Sequence, residues 1–222
     1  FDDPKINQRK HEIMERIGKE CADEDIAFFL EFVGYDPKGG DAKNLAYAKL
    51  KPEIVIKSME EFSKDKYKVD VLKVEIPIDV KYLKGSKAFN GNEAAYDWAE
   101  AKEIFKRQDQ CTHKPFIYLS AGVSDEIFRE SLELAIGAGV NFAGVLCGRA
   151  TWKDGIPVYA QGGAKALEAC QTEARYDEFP EAARALLPRS AWGRAASCSP
   201  SPRCSACTRC CLRCRRSTLC SS

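Results

Sequence analysis

Apolar positions along the chain switch repeatedly between two periods. From Lys5 to Cys21, Ile13, Ile17 and Cys21 recur at helical spacing and predict an amphipathic helix. Ala27 to Val33 is a short, mostly apolar run of the kind a buried strand carries. Leu45 to Phe62 has helical composition, interrupted at Pro52, which is read as the start of a second helix because proline suits a first helical turn and not an interior. Val69 to Ile76 predicts a second strand, ended by Pro77. Asn92 is read as the cap of a helix with the core stripe Ala95, Trp98, Ala101 and Phe105. Pro115 to Ser120 predicts a third strand. Ser124 caps the next helix, with Asp125 and Glu126 in the turn where the helix dipole favours acids. That helix ends at Gly137 or Gly139. Asn141 to Cys147 predicts a fourth strand, and a last helix begins near Gly162.

Apolar strands alternating with helices imply an α/β fold with a parallel sheet covered by helices. Four βα units are half of an eight-unit barrel, which takes roughly 250 residues. The competing architecture is a doubly wound sheet. Its Gly-rich phosphate turn after the first strand is missing, and Gly137-Ala138-Gly139 lies after a helix, where a helix stop is expected.

Composition divides the chain in two. Residues 1–170 hold 20 Lys and 5 Arg against 29 Asp and Glu, a net −4. Residues 171–222 hold no Lys, 9 Arg and 4 Asp and Glu, a net +5. Seven of the 11 cysteines lie between Cys198 and Cys220. The first part is read as one patterned domain and the second as an irregular Cys/Arg-rich tail, disordered or out of frame. A slightly acidic body argues against nucleic acid as a partner. No apolar run approaches the roughly 18 residues that span a bilayer, so no membrane partner is expected. The acidic opening Phe1-Asp2-Asp3 is unlike a signal peptide, and the missing initiator Met points to a start further upstream. Cys21, Cys111, Cys147 and Cys170 are scattered as in reduced cytoplasmic proteins.

Charged residues interrupt two strands that otherwise read as buried. Phe29, Glu31 and Val33 share one strand face, and so do Val71, Lys73 and Glu75. Burying a lone charge is costly, so Glu31 and Lys73 are either an ion pair, outward-facing charges, or functional groups. A lysine desolvated in an apolar pocket becomes a nucleophilic amine able to attack carbonyls, and a carboxylate beside it can move protons. Two loops suit an anion. Ser120-Ala121-Gly122-Val123-Ser124 leads from the third strand to a helix N-terminus. Cys147-Gly148-Arg149-Ala150-Thr151-Trp152 follows the fourth strand, and Arg149 suits bidentate phosphate binding. The only histidines, His11 and His113, lack metal-ligand spacing, and no nucleophile elbow is present, so no metal or cofactor is expected.

The stretches Glu15-Arg16-Ile17-Gly18, Phe28-Phe29-Leu30-Glu31, Tyr47-Ala48-Lys49-Leu50-Lys51-Pro52, Val69 to Glu75, Tyr118 to Ser124 and Gly144 to Trp152 follow in order. On them the chain resembles the class I tagatose-1,6-bisphosphate aldolases, whose relatives include the sulfofructose-phosphate aldolases. The resemblance implies a TIM barrel of which this chain is the C-terminal half, with four βα units preceding Phe1. It implies metal-independent cleavage of a phosphorylated ketose, with Lys73 as Schiff-base lysine and Glu31 as acid/base carboxylate. It assigns Ser120, Ala121, Gly122, Gly148 and Arg149 to the grip on phosphate or sulfonate. Glu75 is a second carboxylate candidate or a structural residue. Tagatose, fructose and sulfonated substrates stay open, as does a non-catalytic fragment serving as an interaction module. Four strands leave unpaired edges, compatible with a homo-oligomer.

The tail carries Cys204-x₂-Cys207-x₂-Cys210-x₃-Cys214, the spacing of an iron–sulfur ligand run. Arg215 stands where that motif has proline, and the cysteines lie among arginines, so chance within a Cys-rich run is the preferred reading.

Overall fold

A computed structural model describes residues 3–36, 40, 42–89, 91–148 and 155–172. The expected tail from residue 173 onward, with its cysteine run, lies outside these, as does Arg149. The described elements are α1 (Pro4–Asp23), β1 (Phe29–Glu31), α2 (Leu45–Phe62), β2 (Val71–Glu75), α3 (Trp98–Gln110), β3 (Phe116–Leu119), α4 (Asp125–Gly137), β4 (Gly144–Leu146) and α5 (Gly155–Thr172). Short 3₁₀ turns at Asp65–Tyr67 and Val80–Tyr82 flank β2.

All four strands are parallel and lie in the order β1-β2-β3-β4. A doubly wound sheet reverses its strand order partway. This one runs in a single direction, the arrangement of half a (β/α)8 barrel. The two faces differ sharply. Leu30, Leu72, Val74, Phe116 and Tyr118 point to one face and are buried. They meet Met59 of α2, Phe105 of α3 and Phe128 and Leu132 of α4 in the core. Within that core Gln108 is fully buried and satisfied. It accepts from the Tyr118 hydroxyl at 2.6 Å and donates to the Glu75 carbonyl at 3.2 Å. The opposite face carries Phe29, Glu31, Lys73, Glu75, Ile117 and Leu146, and at its two edges Phe29 and Leu146 are exposed.

Two expected helix boundaries are corrected. α2 does not stop at Pro52 but runs straight through it. Proline removes the N–H that would bond the Ala48 carbonyl, and the Tyr96 hydroxyl donates to that carbonyl instead. Asn92 does not cap α3. The cap is Asp97, which accepts from Ala99 and Glu100 N–H while the Glu100 carboxylate accepts from Asp97 N–H. This reciprocal pair satisfies two otherwise orphaned donors. Ala95 and Tyr96 precede the helix and pair with Tyr82 and Lys84, so Ala95 leaves the stripe, and Trp98 is exposed.

Elsewhere local chemistry sets the ends as expected. Ser124 accepts from Ile127 N–H at the start of α4. Gly139, with φ +80°, turns the chain after α4 while Val140 N–H bonds the Ala135 carbonyl. α5 begins at Gly155, earlier than expected, and breaks at Gly163, where φ is +69°. Helix α1 packs Gly18 against the 3₁₀ turn at Tyr67, and His11 meets Phe62 and Tyr67 edge-on. Among the described residues no helix is long and apolar enough to cross a membrane.

Candidate active site

The register of β1 on β2 pairs Glu31 with Lys73. Both side chains leave the open face of the sheet, and the Lys73 Nζ donates to Glu31 Oε2 at 2.7 Å. Lys73 is the more sheltered partner, 17% exposed against 48% for Glu31. The row continues to Ile117 and Gly144, which carry no charge. Among the described residues the lysine thus has one ionic partner, an apolar neighbour on its other side and an opening toward solvent.

Glu75 lies two residues further along the same face and is buried. It accepts from Gly34 N–H at 2.6 Å and lies 3.7 Å from the Lys51 Nζ of α2. Tyr47, also on α2, is buried, and its hydroxyl has no hydrogen-bond partner among the described residues. Burial, and then the charges of Glu75 and Asp36, push this hydroxyl up to about 12.

The first anion loop follows the C-terminal end of β3, and Cys147 and Gly148, the described part of the second, follow that of β4. Ser120 follows Leu119, whose register partners are Glu75 and Leu146. Ala121 and Gly122 both take positive φ, +49° and +73°, and the turn closes with Val123 N–H on the Ser120 carbonyl. Lys51 lines a pocket that Asp79, Ser120 and Ala121 also line. Asp125 in the first turn of α4 is paired with Arg129 at 3.3 Å. Gly148 is exposed two residues beyond β4. Arg149 lies outside the described residues.

The structure therefore joins Glu31 and Lys73 directly and sets Ser120, Ala121, Gly122 and Gly148 on neighbouring strand ends. Sequence reading met Tyr47 and Lys51 only within a stretch that carries the resemblance and gave neither a place at the site. Both lie in a helix whose period marks a packing face, and nothing local ties a helix lysine to a strand carboxylate 24 residues later.

A sheltered lysine in contact with a carboxylate at the open face of a parallel βα sheet is an arrangement that imine chemistry on a carbonyl can use. The model of the DeoC/LacD family aldolases matches residues 1–154, and the chain belongs to that family. It is 51% identical over 175 residues to tagatose 1,6-diphosphate aldolase 2 of Enterococcus faecalis, covering 78% of this chain and 52% of the relative. It is 44% identical over 182 residues to tagatose 1,6-diphosphate aldolase of Lactococcus lactis subsp. lactis, covering 82% and 55%. The chain thus spans about half the length of the curated relatives it matches. A solved Schiff-base-forming fructose-1,6-bisphosphate aldolase overlaps 74% of this chain and 51% of its own, at 16% identity and a TM-score of 0.44.

Proposed function

We propose that this chain carries the imine-forming part of a class I aldolase that cleaves tagatose 1,6-bisphosphate to dihydroxyacetone phosphate and glyceraldehyde 3-phosphate. The Lys73–Glu31 contact on the open sheet face carries the reading. A half-exposed ion pair contributes only about 0–1 kcal/mol. An apolar side chain buried at the same strand position would contribute about 1.5–3 kcal/mol. Stability alone gives little reason for a lysine there, whereas carbonyl chemistry does.

In the proposed reaction Glu31 takes a proton from the Lys73 ammonium, and the free amine attacks the C2 ketone. Glu31 returns that proton to the carbinolamine hydroxyl, which leaves as water to give a protonated imine, the electron sink, and leaves Glu31 ionised again. Glu31 removes the C4 hydroxyl proton, the C3–C4 electrons move into the imine, and glyceraldehyde 3-phosphate departs. The enamine takes at C3 the proton that Glu31 holds, and water hydrolyses the resulting imine to release dihydroxyacetone phosphate and Lys73. The loop Ser120-Ala121-Gly122 and the segment Gly148-Arg149 are the proposed phosphate grip. Backbone N–H groups and the α4 N-terminus support the first, and guanidinium chemistry supports the second. A charged sugar phosphate does not cross a bilayer unaided, and the cytoplasm is the proposed compartment.

Borohydride trapping with dihydroxyacetone phosphate tests this reading. It is run on the chain alone and on the chain co-expressed with the part of the Enterococcus faecalis relative that it does not cover. The expected adduct lies on the peptide containing Lys73 and is lost in Lys73→Ala. An adduct on another lysine, or none in either preparation, overturns the proposal.

A further inference from the structure

Strand β1 is three residues long, and Glu31 is its last. Its backbone ladder to β2 stops at the Glu31–Lys73 pair. So short a ladder fixes register weakly, and a slip of one residue would turn Glu31 to the helix-covered face. Two carboxylates from the ends of β2 bracket the strand. Asp70, just before β2, accepts from Phe28 N–H at 2.8 Å. Glu75, the last residue of β2, accepts from Gly34 N–H at 2.6 Å. Glu31 lies between the two tethers.

The two tethers differ in strength. Asp70 is exposed, and solvent competes for its bond. Glu75 is buried, and its other oxygen faces Lys51 Nζ, whose side chain is only 13% exposed. The chain at Gly34 is pressed against α2. A Cβ there would come within 2.5 Å of the Tyr47 hydroxyl, 2.9 Å of Ile54 Cγ2 and 3.3 Å of Glu75 Oε2. Only glycine lets the backbone come close enough for this bond.

We propose that Glu75 is a positioning residue: fixed by Lys51 and closed on the Gly34 N–H, its carboxylate holds the end of β1 so that Glu31 meets Lys73. The catalytic consequence rests on reading Lys73 and Glu31 as the reacting pair, while the geometric statement is testable without it.

Carbodiimide joins a carboxylate and an amine only when they touch, so the yield of the Glu31–Lys73 cross-link reports their contact. In the 222-residue chain, Glu75→Ala and Gly34→Ala lower that yield about tenfold. Glu75→Gln restores most of it, because an amide oxygen still accepts the Gly34 N–H. Borohydride trapping at saturating dihydroxyacetone phosphate falls about 10- to 100-fold in Glu75→Ala, the range expected for a small displacement of reacting groups. The ketone concentration giving half the maximal rate stays near that of the parent. The double variant Glu31→Gln/Glu75→Ala is no slower than Glu31→Gln alone, since residues acting through one another are not additive.

An unchanged cross-link in folded Glu75→Ala overturns the proposal, and so do losses that multiply in the double variant. A cross-link that falls while the parent shows no trapping, either alone or co-expressed with the part of the relative it does not cover, upholds the positioning role and removes the aldolase reading. Should Glu75→Ala fail to fold, Glu75→Met, which fills a similar space and offers the Gly34 N–H no oxygen, carries the same test.

Discussion

The Tyr96 hydroxyl donates to the Ala48 carbonyl at 2.5 Å, and Ala48 is the residue whose helical donor Pro52 has removed. A proline inside a helix costs about 3 kcal/mol, part of it this lost bond. The tyrosine, itself buried, restores the bond from outside the helix. Tyr96→Phe keeps the ring and leaves a buried carbonyl unpaired. The expected cost is about 1–3 kcal/mol, read as a lower urea midpoint with unchanged slope.

Two glycines respond to alanine with opposite signs. At Gly18 a Cβ would sit 1.8 Å from the Tyr67 carbonyl oxygen, so α1 must move off the turn it packs on. Gly18→Ala costs about 1–3 kcal/mol, as overpacking does. At Gly137 a Cβ meets nothing within 4 Å, and the residue closes α4. Gly137→Ala stabilises by up to about 1 kcal/mol through helix propensity. Thermal unfolding of the pair checks both signs.

Ala121 holds a left-handed conformation at φ +49° in the turn after β3. That conformation costs an L-residue roughly 1–2 kcal/mol. Ala121→Gly relieves it, offset in part by the greater freedom of glycine in the unfolded chain. A net gain of about 0.5–1 kcal/mol is expected in thermal unfolding. No gain would mean that the turn relaxes without strain.

Alkaline conditions weaken the fold in a defined window. Burial, and then the charge of Glu60, push the Cys111 thiol up to about 12 from an ordinary 9.0. Tyr47 is pushed up to about 12 from 10.0 by burial and the acids beside it. The unfolded chain loses these protons first, so stability is full below about pH 9 and declines as pH rises toward 12. Cys111→Ser, which does not titrate there, makes the decline shallower at its lower end. Urea midpoints measured across that range check this.

Much of the fold was legible because a parallel sheet covered by helices writes its strands as apolar runs. β1 to β4 each lie inside the run expected for them. The misreadings have two causes, a partner distant in sequence at α2 and a local signal overshadowed by a hydrophobic stripe at α3. Pro52 looked like a helix start because Tyr96, 44 residues on, could not be seen to replace its bond. At α3 the D-x-x-E signature of Asp97 and Glu100 was present in the sequence, but the stripe drawn through Ala95 and Trp98 hid it. Glu31 and Lys73 stood out because charge in an apolar strand is costly. Their contact needed the register, and Glu75 needed Gly34, Lys51 and the close approach of the chain to Tyr47.

Along β2 the labour is divided residue by residue. Leu72 and Val74 sit in the helix-covered core, while Lys73 and Glu75 belong to the opposite face. Substitutions through this strand should therefore read as a comb. Leu72 and Val74 answer to the helix-side core, and Lys73 between them is the position where a substitution leaves every buried contact of the strand in place. Variation at Lys73 leaves the helix-side core intact, so one tooth of the comb is free to change its chemistry without first making a weaker protein, while its neighbour Glu75 is not.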